Sequence, residues 1–263
     1  MLSFDAVIFD MDGVITKTAK VHSMAWKKMF DEYLHQREKN YHELFCEFTH
    51  ADDYLPYVDG RPRYKGVEAF LKSRGINIPL GKPEDEPGTE TICGLGNSKD
   101  KYFNQIVETS GVGVYISTIG LINELLSRGV KVGVATSSKN CELILKKAKI
   151  NNLFETRVDG VVSAKMGLKG KPEPDIFTTA ASNLNVEPRR AIVVEDAISG
   201  VQAGFKGNFG LVIGVARENN FHELKANGAD VVVADLSEIT VEKMNQLIQS
   251  KLLGHQYSGQ QSI

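Results

Sequence analysis

Asp10-Met11-Asp12-Gly13 is the first segment of the chain whose residue types could do chemistry, and it directly follows the apolar run Ala6-Val7-Ile8-Phe9. Residues two apart at a strand end project to one side. Two carboxylates held that close repel each other unless a cation or a shared proton relieves them. The pair therefore suits a hard divalent cation, Mg²⁺ above all, which takes oxygen ligands in octahedral geometry. It equally suits a division of labour, with one carboxylate attacking as a nucleophile while the other moves protons. Gly13 allows the backbone to turn sharply and approach a ligand.

Three later segments have matching chemistry. Thr136-Ser137-Ser138 closes the run 130–135 and is read as opening a helix. Its hydroxyls and free N–H groups would make a phosphate seat, although helix capping is their commoner use. Lys171-Pro172-Glu173-Pro174 is a stiff segment with a proline suited to a first helical turn. It either brings a fixed positive charge to a phosphoryl group or merely exposes a loop lysine. Glu195-Asp196 ends the run 191–194. Buried acids there need a partner, which a metal shared with Asp10 would supply, unless Asp196 simply caps the next helix. Each signal alone has a bland explanation. Four of them converging at one sheet edge point to phosphoryl chemistry.

The positioning elements are legible in outline. The β-branched runs 6–9, 130–135, 191–194, 211–215 and 231–234 read as strands buried on both faces, as in a parallel sheet. Helical patterns at 121–128, 141–149, 174–184 and 199–204 lie between them. Alternating strand and helix means an α/β fold, a doubly wound parallel-sheet (Rossmann-like) core, which binds ligands outside the carboxyl ends of its strands. More than a hundred residues separate the first strand from the second, too many for one crossover. Helices are expected there at 19–34, 41–48, 66–73 and 99–108, with 78–96 a Pro- and Gly-rich loop. The expected organisation is a core of 1–17 and 109–263 with an inserted helical cap at 18–108. The polar tail after Leu253 is read as frayed.

Composition narrows the function class. The 263 residues carry 31 Lys and Arg against 33 Asp and Glu, a net charge of −2 with pI near 6.3. Such a balance gives no footprint for nucleic acid or an anionic membrane. No apolar run approaches the ~20 residues of a membrane helix, and the N-terminus does not read as a signal peptide. Three scattered cysteines form neither a disulfide framework nor a metal pair. A soluble cytoplasmic monomer is expected. Dinucleotide, P-loop, zincin and nucleophile-elbow patterns are all missing.

The order Asp10-x-Asp12-Gly13, Thr136-Ser137-Ser138, Lys171-Pro172 and Glu195-Asp196 resembles the haloacid-dehalogenase-like (HAD) phosphotransferase superfamily, from about residue 4 to 235. The insert resembles that superfamily's helical cap. The wording ATSSKN, GKPEPDIF and VVEDAISGVQAG is similar to the beta-phosphoglucomutase-like branch. RVDG at 157–160 is similar to a subgroup found beside trehalose- or glucoside-processing enzymes, which implies a sugar phosphate as partner.

The resemblance implies roles residue by residue. Asp10 would form an aspartyl phosphate, and Asp12 would be general acid and base. Asp10 and Asp196 through their carboxylates and Asp12 through its carbonyl would hold Mg²⁺, with Glu195 nearby or acting through water. Thr136, Ser137 and Lys171 would hold the transferring phosphoryl oxygens. In the cap, His22, Trp26 and Phe30 are four apart on one helix face. His22 and Trp26 would face the sugar, Arg63 or, as the alternative, Arg61 would grip a second phosphate, and Lys99 and Asn140 would line the sugar-phosphate site. Two positions depart from the pattern: Lys17 replaces an acid at the hinge, and Asp100 replaces an asparagine. Transfer to a sugar hydroxyl and hydrolysis by water both remain open, because both use this core.

Overall fold

A computed structural model describes residues 2–258. Six parallel strands form one sheet: β1 (Ala6–Phe9), β2 (Lys131–Ala135), β3 (Thr156–Val158), β4 (Ala191–Glu195), β5 (Leu211–Val215) and β6 (Val231–Val233). Their order is β3-β2-β1-β4-β5-β6, the doubly wound order whose switch point falls between β1 and β4. Phe9 stands opposite Val134 on one side and Val194 on the other. That register brings the carboxyl ends of the three central strands level. Five strands coincide with the β-branched runs. β3 was not expected, because Thr-Arg-Val is three residues long and lacks an apolar run.

The chain divides into two compact units, one of Met1–Thr16 with Val114–Ile263, the other Lys17–Gly113. The expected insert, 18–108, lies within the second. That unit contains α1 (Ala19–Tyr41), the short α2 (Leu55–Tyr57), α3 (Arg63–Ser73) and α4 (Ile92–Ser110). Trp26, Met29, Phe30, Tyr33 and Leu34 recur at helical spacing on α1 and bury together with Phe48, Phe70 and Leu95. Phe30 has its ring centroid 4.0 Å from that of Phe70 and 5.0 Å from that of Phe48.

Two expectations in this unit are corrected. No separate helix forms at 41–48; α1 runs to Tyr41 and stops where His42 turns left-handed at φ 56°. The Phe48 amide then donates to Asp31 Oδ1 at 2.7 Å, which holds the segment in a non-helical path. The loop at 78–96 ends early, because Thr91 caps α4 by accepting from the Gly94 amide at 2.9 Å. Gly94 and Gly96, read as loop residues, instead let the helix pack closely, since a Cβ on Gly96 would meet the Tyr64 ring at 2.8 Å.

In the first unit, the remaining helices are α5 (Ile116–Ser127), α6 (Cys141–Lys147), α7 (Gly160–Met166), α8 (Asp175–Asn183), α9 (Ile198–Lys206), α10 (Phe221–Ala226) and α11 (Val241–Ser258). Ala6, Ile8 and Val193 pack on one sheet face with Phe177, Ala180 and Val201 of α8 and α9. α5 and α11 pack against each other, α5 also on β2 and α11 also on β5. The tail read as frayed is helical to Ser258, and residues 259–263 lie outside the described residues. Among the described residues no helix is long and apolar enough to cross a membrane.

Candidate active site

Asp10 leaves β1 at its carboxyl end and is buried; its amide donates to Val194 O at 2.9 Å. The Lys171 ammonium reaches Asp10 Oδ1 and Glu195 Oε1, each at 2.5 Å. It sits 5.1 Å from the centroid of the Phe177 ring on α8. All three charged side chains are at least nine-tenths buried. Lys171 lies three residues before Pro174, the residue that leads into α8. It is no exposed loop lysine.

The electrostatics are strained in one direction. Burial pushes the Asp10 carboxyl well above the usual aspartate range; Lys171 opposes this, while Glu195 and Asp12 add to it. For Lys171, burial alone would lower the ammonium's pKa. The Asp10 and Glu195 carboxylates outweigh burial and hold it above the ordinary lysine range.

Gly13 shows why motif one and motif four meet. Its φ is +89°, and a Cβ there would fall 1.8 Å from Asp196 Oδ2. Only glycine both adopts that conformation and leaves room for the carboxylate. The turn is closed by Gly13 N–H donating to Thr16 O at 2.8 Å and by a bridge between Asp12 and Thr16. Asp10, Asp12 and Asp196 are thus carried by neighbouring strand ends and offer only hard oxygen donors.

The hydroxyl segment corrects an expectation. Thr136-Ser137-Ser138 does not open α6, which begins at Cys141 with Asn140 as its cap residue. Thr136 is buried, its amide donates to Val158 O at 3.0 Å, and its Oγ1 accepts from the Ser138 amide at 3.1 Å. The Ser138 hydroxyl in turn accepts from the Asn140 amide at 3.2 Å. Thr136, Ser137 and Asn140 therefore lie on one self-braced loop at the end of β2.

Glu195 has both carboxylate oxygens engaged. Its Oε1 takes Lys171, and its Oε2 accepts from the Ala197 amide at 2.7 Å. Gly200 makes this possible, because a Cβ there would lie 1.7 Å from Oε1. Sequence reading missed Gly200 and Phe177; the glycine inside an otherwise helical stretch was the available signal. Among the described residues no group of three His, Cys, Asp or Glu side chains is already gathered around a cation position. The oxygen-only donor set of Asp10, Asp12 and Asp196, and the cost of an Asp10 charge crowded by other acids, nonetheless fit Mg²⁺.

The expected cap residues group within the helical unit. His22 stacks on Phe103 with ring centroids 4.1 Å apart, and its Nδ1 is 2.5 Å from Lys99 Nζ. Lys99 is buried, 5.3 Å from the Trp26 ring centroid and 4.7 Å from that of Phe103. Arg63 stands at the start of α3 and pairs with Asp100 of α4 at 2.6 Å. His22, Trp26 and Lys99 are therefore one cluster, while Arg63 joins it through the residue next to Lys99.

Comparison with known proteins fits this geometry. The sequence pattern of the haloacid dehalogenase-like hydrolase family matches residues 4–208. The β-phosphoglucomutase of Mycobacterium bovis is 42% identical over 237 residues, covering 89% of this chain and 90% of that protein. That of Bacillus subtilis is 30% identical over 242 residues, covering 92% and 94%. The crystal structure of β-phosphoglucomutase from Clostridium difficile superposes with a TM-score of 0.75 at 24% identity, covering 95% of this chain and 99% of that one.

Proposed function

The chain belongs to the haloacid dehalogenase-like hydrolase family and is an enzyme of the HAD phosphotransferase or phosphatase type, and from that premise we propose that it transfers a phosphoryl group on a sugar phosphate through Asp10. The observation that carries this reading is the buried Asp10–Lys171–Glu195 triad at the switch point of the sheet. An anion placed there is activated for attack, and a cation beside it is fixed without freedom to swing away.

In the proposed cycle an Asp10 carboxylate oxygen bonds phosphorus as the ester P–O bond breaks. Asp12 gives a proton to the leaving oxygen. In the second half an acceptor hydroxyl gives its proton back to Asp12, and its oxygen takes the phosphoryl group from Asp10. Lys171, Thr136 and the Ser137 amide hold the transferring oxygens, which is most of what phosphoryl transfer needs. The Asp10 and Asp196 carboxylates and the Asp12 main-chain carbonyl would hold Mg²⁺, which when bound neutralises phosphoryl charge. Glu195 is assigned to fixing Lys171 rather than to the metal. The helical unit is assigned to sugar recognition, with His22, Trp26 and Lys99 facing the sugar phosphate, Asn140 of the core assisting, and Arg63 gripping a second phosphate.

The relatives named β-phosphoglucomutase support acceptance by a sugar hydroxyl over acceptance by water. The deciding experiment follows β-glucose 1-phosphate with Mg²⁺ by phosphorus NMR, with and without glucose 1,6-bisphosphate. Glucose 6-phosphate is the expected product. Inorganic phosphate alone would make the protein a phosphatase, and no change in either condition would reject both.

A further inference from the structure

Arg217, just beyond β5, has no part in the four motifs, yet its guanidinium reaches the turn that carries Asp12. Nε donates to Gly13 O at 2.9 Å. Nη1 donates to Ala234 O and to Asp235 Oδ2, each at 3.1 Å. The guanidinium carbon lies 3.6 Å from the centroid of the Tyr115 ring. Nη2 is buried without a hydrogen-bond partner among the described residues, an arrangement that costs free energy and that an apolar filler would avoid.

The contacts on either side of Arg217 form a frame. Asp235 is fixed by the Ser117 hydroxyl at 2.9 Å and by the Ser237 amide at 3.0 Å. The Tyr115 amide donates to Ile15 O at 3.0 Å, and Val114 bridges Thr16. The Thr118 hydroxyl donates to Val14 O at 2.7 Å. Residues 12–16 and 114–118 are thus laced together, and Arg217 grips both, one through the Gly13 carbonyl and the other through the Tyr115 ring. The Gly13 carbonyl belongs to the turn closed by Gly13 N–H on Thr16 O and by the Asp12–Thr16 bridge, so releasing it would loosen the turn on which Asp12 stands and against which the Asp196 carboxylate rests.

We propose that Arg217 is a positioning residue that pins the Gly13 peptide and thereby holds the Asp12 carboxyl where it can pass a proton to the leaving oxygen. This rests on the reading of Asp12 as general acid and base. A hexose phosphate or simple alkyl phosphate loses an alkoxide that needs a proton, whereas p-nitrophenyl phosphate loses a stable phenolate that does not. Misplacing Asp12 therefore slows transfer to Asp10 from the first class of ester and spares it from the second; the later transfer from Asp10 to the acceptor is common to both, so kcat/KM, which reports the first transfer alone, carries the difference, while a general loss of fold lowers it for both.

The test measures kcat and KM for an alkyl and an aryl phosphate in Arg217→Ala, Arg217→Lys and Asp12→Asn. For both Arg217 variants the expected result is a fall of about tenfold or more in kcat/KM on the alkyl ester and less than about threefold on the aryl ester. Ethylguanidinium added to Arg217→Ala should restore part of the alkyl activity, since it can refill the cavity between Gly13 O and Asp235. Equal falls on both esters, or no fall on either, would overturn the proposal. Asp12→Asn separates the two readings. If its kcat/KM falls equally on both esters, the assignment of Asp12 as the acid fails. If it is selective and the Arg217 variants are not, the role of Arg217 fails.

Discussion

Gly200→Ala tests the triad from outside the motifs. Gly200 lies in α9, where alanine should ordinarily stabilise a helix by about 1 kcal/mol over glycine. Here the added Cβ would lie 1.7 Å from Glu195 Oε1 and 2.0 Å from its Cδ. Carbon and oxygen without a bond rest at roughly 3.5 Å, so the carboxylate must retreat by about 1.5 Å or more. It cannot do so cheaply. The retreat takes Oε1 out of hydrogen-bond reach of Lys171 Nζ, now at 2.5 Å, and takes Oε2 off the Ala197 amide, now at 2.7 Å. Separating one partner from a buried ion pair costs about 3–5 kcal/mol. Against the helix gain, the net loss is about 2–4 kcal/mol, and the thermal midpoint should fall by about 5–15 °C. Activity should fall with it, because Lys171 loses one of the two acids that aim it. Thermal unfolding followed by circular dichroism and turnover below the transition measure both effects. Glu195→Asp in the same chain, one methylene shorter, should recover part of the loss. Gly204→Ala on the same helix is the contrast: its Cβ would meet Val212 at 3.1 Å and Val193 at 3.2 Å, which side-chain shifts of a few tenths of an ångström relieve. A midpoint for Gly200→Ala at or above the parent's, or a Gly204→Ala loss as large, would refute the reasoning.

Asp10→Asn removes the proposed nucleophile, and turnover on any phosphate ester should drop below detection; retained turnover with phosphate release would reject the assignment. Arg63→Ala should lower kcat/KM for a hexose bisphosphate far more than for a small aryl phosphate, and equal losses would reject a second-phosphate role. Asp100→Asn frees Arg63 of its 2.6 Å partner and should shift selectivity the other way, lowering KM for the bisphosphate; an unchanged KM would show that the pair does not compete with substrate. Partial burial tends to raise the Asp235 carboxyl, but the Ser237 amide and hydroxyl, the Ser117 hydroxyl and Arg217 outweigh it and hold it well below the usual range. A carboxyl depressed by folding stabilises above its unfolded value, near ~3.9, and loses that contribution as pH falls. Asp235→Asn should therefore lower the thermal midpoint at neutral pH by more than at pH ~3; a gap independent of pH would reject the linkage.

The sheet was legible because each strand is a short β-branched run buried on both faces, and such runs have few other uses. Where that signature weakens, legibility weakens too. Thr-Arg-Val of β3 carries no apolar run and is held by pairing to β2. The insert was legible as helical from its spacing, but its boundaries were set by tertiary hydrogen bonds. Asp31 holding the Phe48 amide and Thr91 capping ahead of two glycines are invisible to a local pattern. Arg217 lay beyond sequence reading altogether, because its partners at 13, 115 and 235 are brought together only by the fold.

Glu195 shows the same limit at the site. A buried acid at a strand end demands a cation, and two were available in the sequence: a divalent metal shared with Asp10, and the lysine of the third motif. Charge counting cannot choose between them, since either satisfies the demand. The choice is made by space. Gly200, on the first turn of α9, leaves a slot that receives the Glu195 carboxylate, and the Ala197 amide anchors its second oxygen. In that slot the carboxylate faces Lys171, while Asp196 lies against Gly13. On the proposed reading, one strand end would serve two cations with adjacent acids: the first acid keeps the lysine fixed, and the second, beside Asp10 and Asp12, would be left to a divalent ion. On that reading, a glycine five residues downstream decides which acid does which.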